Sequence, residues 1–381
     1  MRMNGSFSTC AISEPSLYRR PVTSWWNSLI VVVGLACAPG ISLAQWSGPD
    51  DAFLPSPVRT VSTVPANGDV NPYGVAFVPR NFSTGSGALK HGDILVSNFN
   101  NSNNLQGTGT TIVRVPASGS PSLFFQGTMG LGLSTALGTL QYGFVVVGNA
   151  PTADGTSATA SPGSLLVINN QGKLIQTIAN AWIQYPWDMA LIDRGNHAIA
   201  FVANALTGTV SRLEFQVTSS GLTVLSAKTI ASGYVHRGDP VALFVAPTGL
   251  VYDDRRDLLY IASTGDNAVY AVQDAACTQS DHGKGDIVYQ DNVHLHGPLG
   301  LAAAPNDHLL VSNNDTVNSD PNQPSEIVEF TKEGRFVKEL SMDPSQGGSF
   351  GLAVSSSNGQ SIFAAVDDNT ATLIIWALST Q

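Results

Sequence analysis

The stretch that decides the fold is Gly297–Asn314, whose sequence is GPLGLAAAPNDHLLVSNN. Leu301–Ala304 is short, small and apolar, which is typical of a strand buried on both faces. Pro305–Asp307 supplies turn chemistry, because proline presets φ and the two polar side chains can bond to the local backbone. Leu309–Val311 then predicts a returning strand, so the stretch reads as strand, tight turn, strand.

The same pattern recurs along the 381-residue chain at intervals of 51 to 61 residues. Its signature is Pro-x-Gly followed by an apolar residue, and it is clearest at Pro72–Val75, Pro247–Leu250 and Pro298–Leu301. The six anchor positions are Gly74, Gly132, Asp188, Gly249, Gly300 and Gly351. A period near ~50 residues that is built from short strands predicts a β-propeller, in which each repeat is one four-stranded blade.

The sixth repeat ends after its third strand, Leu373–Ala377. Near the other end of the chain, Val58–Val64 alternates apolar and polar residues and has no partner of its own. It can supply the missing fourth strand, which would remove the open sheet edges that invite aggregation. We therefore predict an all-β, six-bladed β-propeller with four-stranded blades, closed by an N-terminal strand.

This pattern resembles the NHL-repeat type of six-bladed propeller over roughly residues 55 to 380. The Pro-x-Gly-apolar start, a second strand that ends in Asn or Asp, and the third strand all match. Two features depart from the repeat: Asp188 stands where the other five anchors have Gly, and the repeat anchored at Gly132 lacks its proline. The resemblance implies the fold and leaves the activity open, because propellers host many functions.

The first 44 residues have a different character. Arg19 and Arg20 precede an apolar run at residues 28–36, and Ser42–Ala44 places small residues before Gln45. These features predict a secretory signal peptide at residues 1–44, because the apolar run is too short to span a membrane. A single propeller domain would then occupy residues 45–381. An alternative is lipoprotein processing before Cys37. On either interpretation we expect an exported protein that is periplasmic or extracellular.

The composition limits the kinds of binding partner that we expect. Only 12% of the residues are charged, about half of the ~25% that is usual for a soluble domain. Removing the predicted signal peptide, which carries Arg2, Arg19, Arg20 and Glu14, takes the net charge from −10 to −12. This balance argues against nucleic acid and anionic membrane surfaces. We expect a monomer that binds a small molecule, a glycan or a protein.

The residue before each anchor is a candidate ligand contact, because innermost strands of related propellers start near the mouth of the central channel. The six residues are Tyr73, Leu131, Trp187, Thr248, Leu299 and Phe350. This mostly apolar and aromatic ring fits a funnel for an apolar or sugar-like ligand. It fits equally a plug, in which the side chains fill the channel and pack between blades. Loops rich in Asn, Gly and Thr at 99–110 and 150–162 would lie on the propeller faces, where binding loops normally occur.

Asp188, His236 and His296 are the candidate catalytic residues. Near the axis, beside Tyr73, Trp187 and Phe350, burial would raise the pKa of Asp188 and suit it to act as a general base. The alternative is a carboxylate that bonds local backbone at the start of a strand.

A zinc site would need three or four ligands. Only His236, His294 and His296 are available for one, and no motif aligns them. We therefore predict no metal and no cofactor.

Four asparagines close the second strands and form a candidate polar ring for ligand binding: Asn98, Asn149, Asn204 and Asn313. Turn capping explains the same residues, since Asn bonds its own backbone at little cost. The sequence has no Gly-x-Ser-x-Gly elbow, no P-loop and no Cys-x-x-Cys pair. It therefore favours an exported binding or interaction module. The alternatives are a lyase or lactone hydrolase at the channel mouth, using Asp188 with His236 or His296, and a structural module without a pocket.

Overall fold

The structure is a computed structural model that describes residues 51–54, 59–313, 322, 326–357 and 360–379. These residues form β-strands and two short 3₁₀ helices, Ser157–Thr159 and Thr264–Asp266, and they include no α-helix. No helix in this part of the chain is long and apolar enough to cross a membrane. The predicted signal peptide and its cleavage site lie outside the described residues.

The strands form six four-stranded antiparallel sheets, which are the six blades of a β-propeller. The chain first forms β1 (Arg59–Ser62), which belongs to the last blade. Blade 1 comprises β2 (Val70–Phe77), β3 (Ile94–Asn100), β4 (Thr111–Val115) and β5 (Ser122–Gln126). Blade 2 comprises β6 (Leu133–Leu140), β7 (Phe144–Asn149), β8 (Ser164–Asn169) and β9 (Leu174–Ile178). Blade 3 comprises β10 (Pro186–Asp193), β11 (His197–Asn204), β12 (Thr209–Thr218) and β13 (Gly221–Ala231).

A short hairpin of β14 (Arg237–Asp239) and β15 (Leu243–Val245) follows and precedes blade 4. Blade 4 comprises β16 (Pro247–Asp253), β17 (Leu258–Ser263), β18 (Ala268–Gln273) and β19 (Asp286–Gln290). Blade 5 comprises β20 (Pro298–Ala303), β21 (His308–Asn313), β22 (Glu326–Thr331) and β23 (Phe336–Ser341). Blade 6 comprises β24 (Ser349–Ser357), β25 (Gln360–Asp367), β26 (Thr372–Ser379) and β1.

The ring closes as the sequence predicted. β1 pairs antiparallel with β26, with Arg59 opposite Ile375 and Ser62 opposite Thr372. Blade 6 is therefore built from both ends of the described chain, and the predicted pairing of Val58–Val64 with the last strand is confirmed over β1.

The Pro-x-Gly signature marks a bulge in the innermost strand. In blade 1 the register shifts between Pro72 and Val75, so the two residues between them have no ladder partner in β3. The other five innermost strands shift at the equivalent place: Leu133/Leu137, Pro186/Met189, Pro247/Leu250, Pro298/Leu301 and Ser349/Leu352. A bulge bends its strand and re-aims side chains, which is how the same sequence signature recurs once per blade.

Glycine is needed at most anchors because the next blade lies directly against them. A Cβ at Gly351 would overlap the carbonyl oxygen of Tyr73, and a Cβ at Gly300 would overlap that of Phe350. The anchor glycines therefore let neighbouring innermost strands approach at backbone distance.

Blade 2 corrects the predicted repeat. Its register shift spans Leu133 to Leu137, which is one residue more than in blade 1. The position equivalent to Gly74 is therefore Thr135, and the prediction of Gly132 as the anchor was wrong. Prolines start the bulges of blades 1, 3, 4 and 5, and blade 2 has no such residue to mark the position of its bulge.

The same shift moves the predicted ring residue of blade 2. Ser134 occupies the place that was assigned to Leu131. Leu131 is instead partly buried against the apolar core between blades 1 and 2. The ring around the channel is consequently more polar in blade 2 than the sequence predicted.

Candidate functional site

One cavity of about 240 Å³ lies at the mouth of the channel, on the face where second strands turn into third strands. We call it the upper cavity. Its polar lining consists of Asn71, Asn100, Asn104, Gln106, Thr264, Gln346, Asp368 and Asn369. Its other lining residues are Tyr73, Trp187, Val241, Ala242, Phe244, Leu299, Gly347 and Phe350. Four of the six predicted ring residues therefore line it: Tyr73, Trp187, Leu299 and Phe350.

Loops complete the walls above the strands, and the one between β23 and β24 contributes Gln346 and Gly347. The loop after β3 contributes Gln106, whose Nε2 donates to the carbonyl oxygen of Val241 at 2.9 Å in the β14–β15 hairpin. The turn of this hairpin is held by Asp239, whose Oδ1 accepts from the Val241 and Ala242 amides at 2.9 and 3.0 Å. The turn after β25 contributes Asp368. The cavity is thus assembled from segments that are far apart in sequence.

An aromatic plug forms the floor of the upper cavity. The rings of Tyr73 and Phe350 stack at 4.4 Å between centroids, and Tyr73 also stacks on Phe99 at 4.5 Å. Trp187 packs edge-on against Tyr73 at 5.9 Å. Tyr185 and Phe244 join the same buried cluster. The predicted ring therefore both plugs the channel and lines a cavity, so the two interpretations are compatible.

Several buried polar atoms at the upper cavity lack partners. The side chains of Asn71, Asn100 and Trp187 are 5%, 2% and 2% exposed, and all three line the cavity. The Oδ1 atoms of both asparagines and Nε1 of Trp187 have no hydrogen-bond partner among the described residues. A buried polar group without a partner is costly, and it points to a ligand that would satisfy it.

Asp368 is the one ionisable carboxylate among the described residues that line the upper cavity. Burial, with the neighbouring charge of Asp367 added, raises the pKa of Asp368 to about 7. The charge of Asp368 in turn adds to the burial that raises the pKa of the Tyr73 hydroxyl well above its ordinary value. A partly protonated carboxylate at neutral pH can either accept hydrogen bonds or receive a proton.

A second cavity, of about 80 Å³, lies on the other side of the plug. We call it the lower cavity, and of the described residues none lines both cavities. Its lining is Val75, Thr135, Leu137, Asp188, Met189, Leu250, Gly300, Leu301, Gly351 and Leu352. In four blades the residue before the anchor lines the upper cavity, and four of the six anchors, Thr135, Asp188, Gly300 and Gly351, line the lower one.

The structure places Asp188 in the lower cavity, among aliphatic rather than aromatic walls. Burial raises the pKa of Asp188 to about 7, although the backbone amides of Leu250 and Met189 act to lower it. The Leu250 amide, which belongs to the next blade, donates to Asp188 Oδ2 at 2.8 Å. The carboxylate therefore bridges two blades through Leu250, in addition to the local backbone contact with Met189 that one sequence interpretation expected.

Side chains bridge other blade-to-blade seams in the same way. Ser97 Oγ donates to the Ser134 carbonyl oxygen at 2.8 Å, and Ser134 Oγ donates to that of Pro186 at 2.6 Å. Thr248 Oγ1 donates to the Pro298 carbonyl oxygen at 3.1 Å. Thr248, which was predicted as a ligand contact, is 1% exposed and lines neither cavity, because it serves this seam.

The structure does not bring Asp188, His236 and His296 together. Neither histidine lines either cavity. His236 is exposed, and its Nδ1 lies 3.1 Å from the Tyr234 carbonyl oxygen. His296 donates its backbone amide to Asn313 Oδ1 at 3.0 Å. No group of three or more His, Cys, Asp or Glu side chains that could hold a metal ion occurs in the described part of the chain.

The asparagines that end the second strands hold the backbone rather than a cavity. Asn98 donates to the Thr63 carbonyl oxygen at 3.1 Å, ahead of β2, and Asn204 accepts from the Gln184 amide at 2.8 Å, ahead of β10. Asn149 and Asn313 bond in the same manner to the segments that precede β6 and β20. None of the four lines either cavity, so we leave them out of the candidate site.

Sequence reasoning missed most of the polar wall. Asn100, Asn104 and Gln106 lie in or beside the 99–110 loop, which composition had marked as a face loop. Asp368 follows Asp367, and this acidic pair closes a second strand where other blades have Asn or Ser. That departure from the repeat was a usable signal for the site.

No protein-family model matches the chain, and no curated protein sequence is significantly similar to it. Three solved structures share its fold at low sequence identity. A gluconolactonase from Xanthomonas campestris is 10% identical with a TM-score of 0.51, and the match covers 82% of this chain and 88% of that one. A luciferin-regenerating enzyme is 11% identical with a TM-score of 0.50, covering 85% and 95%. A protein proposed to be a gluconolactonase is 12% identical with a TM-score of 0.50, covering 84% and 93%. These similarities establish a β-propeller.

Proposed function

We propose that this protein is a ligand-binding β-propeller that takes a small molecule into the upper cavity. The observation that carries the proposal is the set of unpartnered buried atoms on Asn71, Asn100 and Trp187, all at one cavity. Ligand sites characteristically combine apolar and aromatic walls with a few convergent polar groups. The upper cavity has both, above a rigid floor of stacked rings.

The size of the cavity selects among the expected partners. Pockets for drug-sized ligands occupy about 300–1,000 Å³, and the upper cavity has about 240 Å³. It suits one ring-sized molecule rather than a long glycan or a protein segment. The proposal therefore narrows the predicted ligands to small molecules.

A screen read at Trp187 tests this function. Trp187 has an unpartnered indole N–H at the cavity, whereas Trp182 is 43% exposed at the surface and Trp376 is buried in blade 6. We expect small molecules that raise the melting temperature to shift the indole NMR signal of Trp187 and to leave those of Trp182 and Trp376 in place. Hits that move the other two indoles and spare Trp187 would contradict the proposal.

We also propose that the repeat is of the NHL type and that the protein acts as an exported monomer. The same bulge recurs in five blades, and in three of them it carries the complete Pro-x-Gly signature, which supports the repeat type. N-terminal sequencing of secreted material tests export and should give Gln45 as the first residue, while a lipidated chain starting at Cys37 would refute that cleavage.

Lactone hydrolysis is a second candidate, favoured by Asp368. A carboxylate with a pKa of about 7 can take a proton from a water molecule that attacks the lactone carbonyl carbon. The ring C–O bond then breaks, and the leaving oxygen recovers the proton to give a hydroxy acid. Turnover of gluconolactone by the wild-type protein, lost in Asp368→Asn, would support this candidate. Absence of wild-type turnover above the uncatalysed rate would exclude this substrate.

A further inference from the structure

Most of the fully buried atoms without a partner at the upper cavity are hydrogen-bond acceptors. No donor among the described residues reaches the Asp368 carboxylate, whose only strong influences are burial and the charge of Asp367. The Oδ1 atoms of Asn71 and Asn100 are also without partners in this part of the chain. Among the fully buried atoms without a partner that line the cavity, the one donor is Nε1 of Trp187. These acceptors, together with the Asp368 carboxylate, favour a ligand that carries N–H donors.

The cavity also lacks a protein cation. Among the described residues that line it there is no Lys, Arg or His, although Asp368 is enclosed there. Buried charges are ordinarily paired, because an unpaired one loses its solvation without compensation. A positively charged ligand would supply the counter-ion that the walls do not.

The remaining walls fit an organic body. Trp187, Phe244, Leu299 and Phe350 give the cavity an apolar side opposite its polar groups. Aromatic residues can attract a cation as well as pack against hydrocarbon. A bare metal ion would leave most of a 240 Å³ space and its apolar surface unused.

We propose that the natural ligand of the upper cavity is a small organic cation, a protonated amine or guanidinium on a short apolar body, with its charged head against Asp368. The inference rests on the proposed small-molecule site and names the ligand class. The N–H groups of the head donate to Asp368 and to the asparagine Oδ1 atoms, and the body packs over the plug. An anion is repelled by Asp368. A polyol brings as many acceptors as donors, and so it leaves the excess acceptors unmatched.

Three probes of nearly equal shape separate the classes: isopentylamine, isopentanol and isovalerate. Each is titrated into the wild-type protein near neutral pH, and binding is followed by the indole NMR signal of Trp187. We expect the amine to bind about 10- to 100-fold more tightly than the alcohol, which is the range for a charge-assisted hydrogen bond. We expect no measurable binding of the acid.

Two matched variants locate the charge. Asp368→Asn should remove the preference for the amine over the alcohol. Asp188→Asn removes a carboxylate with a similarly raised pKa from the lower cavity, and it should leave the preference intact. Equal binding of amine and alcohol by the wild type, or an equal loss in both variants, would overturn the inference.

Further arms separate other ligands. If calcium chloride displaces the amine and binds with higher affinity, the inferred ligand class is wrong and a metal ion takes its place. If glucose binds more tightly than the amine, the inferred ligand class is wrong and a polyol takes its place. If none of the probes shifts the Trp187 signal while other small molecules from the screen do, the amine class fails and the small-molecule site stands. If nothing in the screen shifts it, the proposed function fails as well.

Discussion

The upper and lower cavities lie on opposite sides of the same ring of bulges, and each contains one aspartate whose pKa is raised to about 7. They differ in what surrounds the carboxylate. The Asp188 carboxylate accepts from the Leu250 amide of the next blade, whereas no described donor reaches the Asp368 carboxylate. The lower cavity is about 80 Å³ and the upper about 240 Å³.

The difference teaches how to separate a structural carboxylate from a candidate binding carboxylate. Burial is the largest cause of the raised pKa in both aspartates, so a shifted pKa does not distinguish them. The hydrogen bonds do: Asp188 is already used by a blade seam, and Asp368 has unused acceptor capacity beside further unpartnered atoms. A catalytic role for Asp188 stays a prediction, and the predictions below test the contrast.

The largest effect on stability is expected from truncating Trp187, which lies in the aromatic plug between the two cavities. Trp187 is 2% exposed and packs in the plug, so Trp187→Ala should lower the free energy of unfolding by about 3–5 kcal/mol. Trp182→Ala is the matched control, since Trp182 is 43% exposed and should change stability by less than ~0.5 kcal/mol. Urea denaturation measures both. Similar losses in the two variants would mean that the plug does not stabilise the fold.

A smaller loss of stability is expected from substitutions at the anchor positions. Gly351→Ala places a Cβ against the Tyr73 carbonyl oxygen and should cost about 1–3 kcal/mol. Asp188 already has a Cβ at the equivalent position, so Asp188→Ala should lose its hydrogen bonds from the Leu250 and Met189 amides without a steric cost, about 1 kcal/mol. The same denaturation measurement compares them. If Gly351→Ala proved neutral, close backbone approach would not explain the anchor glycines.

The two aspartates should also differ in how they set the pH dependence of stability. A carboxyl whose folded pKa of about 7 exceeds its unfolded value of about 3.9 destabilises the fold as pH rises through this window. Asp368→Asn should therefore raise the free energy of unfolding at about pH 8, by on the order of 1–3 kcal/mol, with no gain at about pH 4. Asp188→Asn should raise the free energy of unfolding by less at about pH 8. The backbone amides that donate to the carboxylate would meet a side-chain amide, whose N–H₂ group cannot accept their hydrogen bonds. Thermal melts across this pH range check the prediction, and an equal gain for both would erase the contrast.

Much of the fold was predictable because the bulge leaves a sequence trace. In blade 1, Pro72 starts the bulge and Gly74 allows the next blade to approach closely. The same two residue types mark the bulge in other blades, so the repeat could be found in the sequence. Counting strands also predicted that β1 would complete blade 6. The method failed at Thr135, where the bulge has an additional residue and no proline.

The site was less predictable because loops from distant blades build it. The β14–β15 hairpin has strands of three residues, too short for a periodic pattern, yet it places Phe244 in the cavity wall. Asn100 and Asp368 are far apart in the sequence and meet only in the closed ring. Composition marked the face loops, and three-dimensional packing decided which side chains converge.

The most direct test of this account is the carboxyl titration of Asp368 by NMR, with and without isopentylamine. We predict a pKa of about 7 in the free protein and a lower value in the presence of the amine, because a bound cation favours the charged carboxylate. Asp188 should titrate near 7 in both samples. A pKa for Asp368 near ~4 that does not respond to the amine would contradict an enclosed, unpartnered carboxylate at a ligand site.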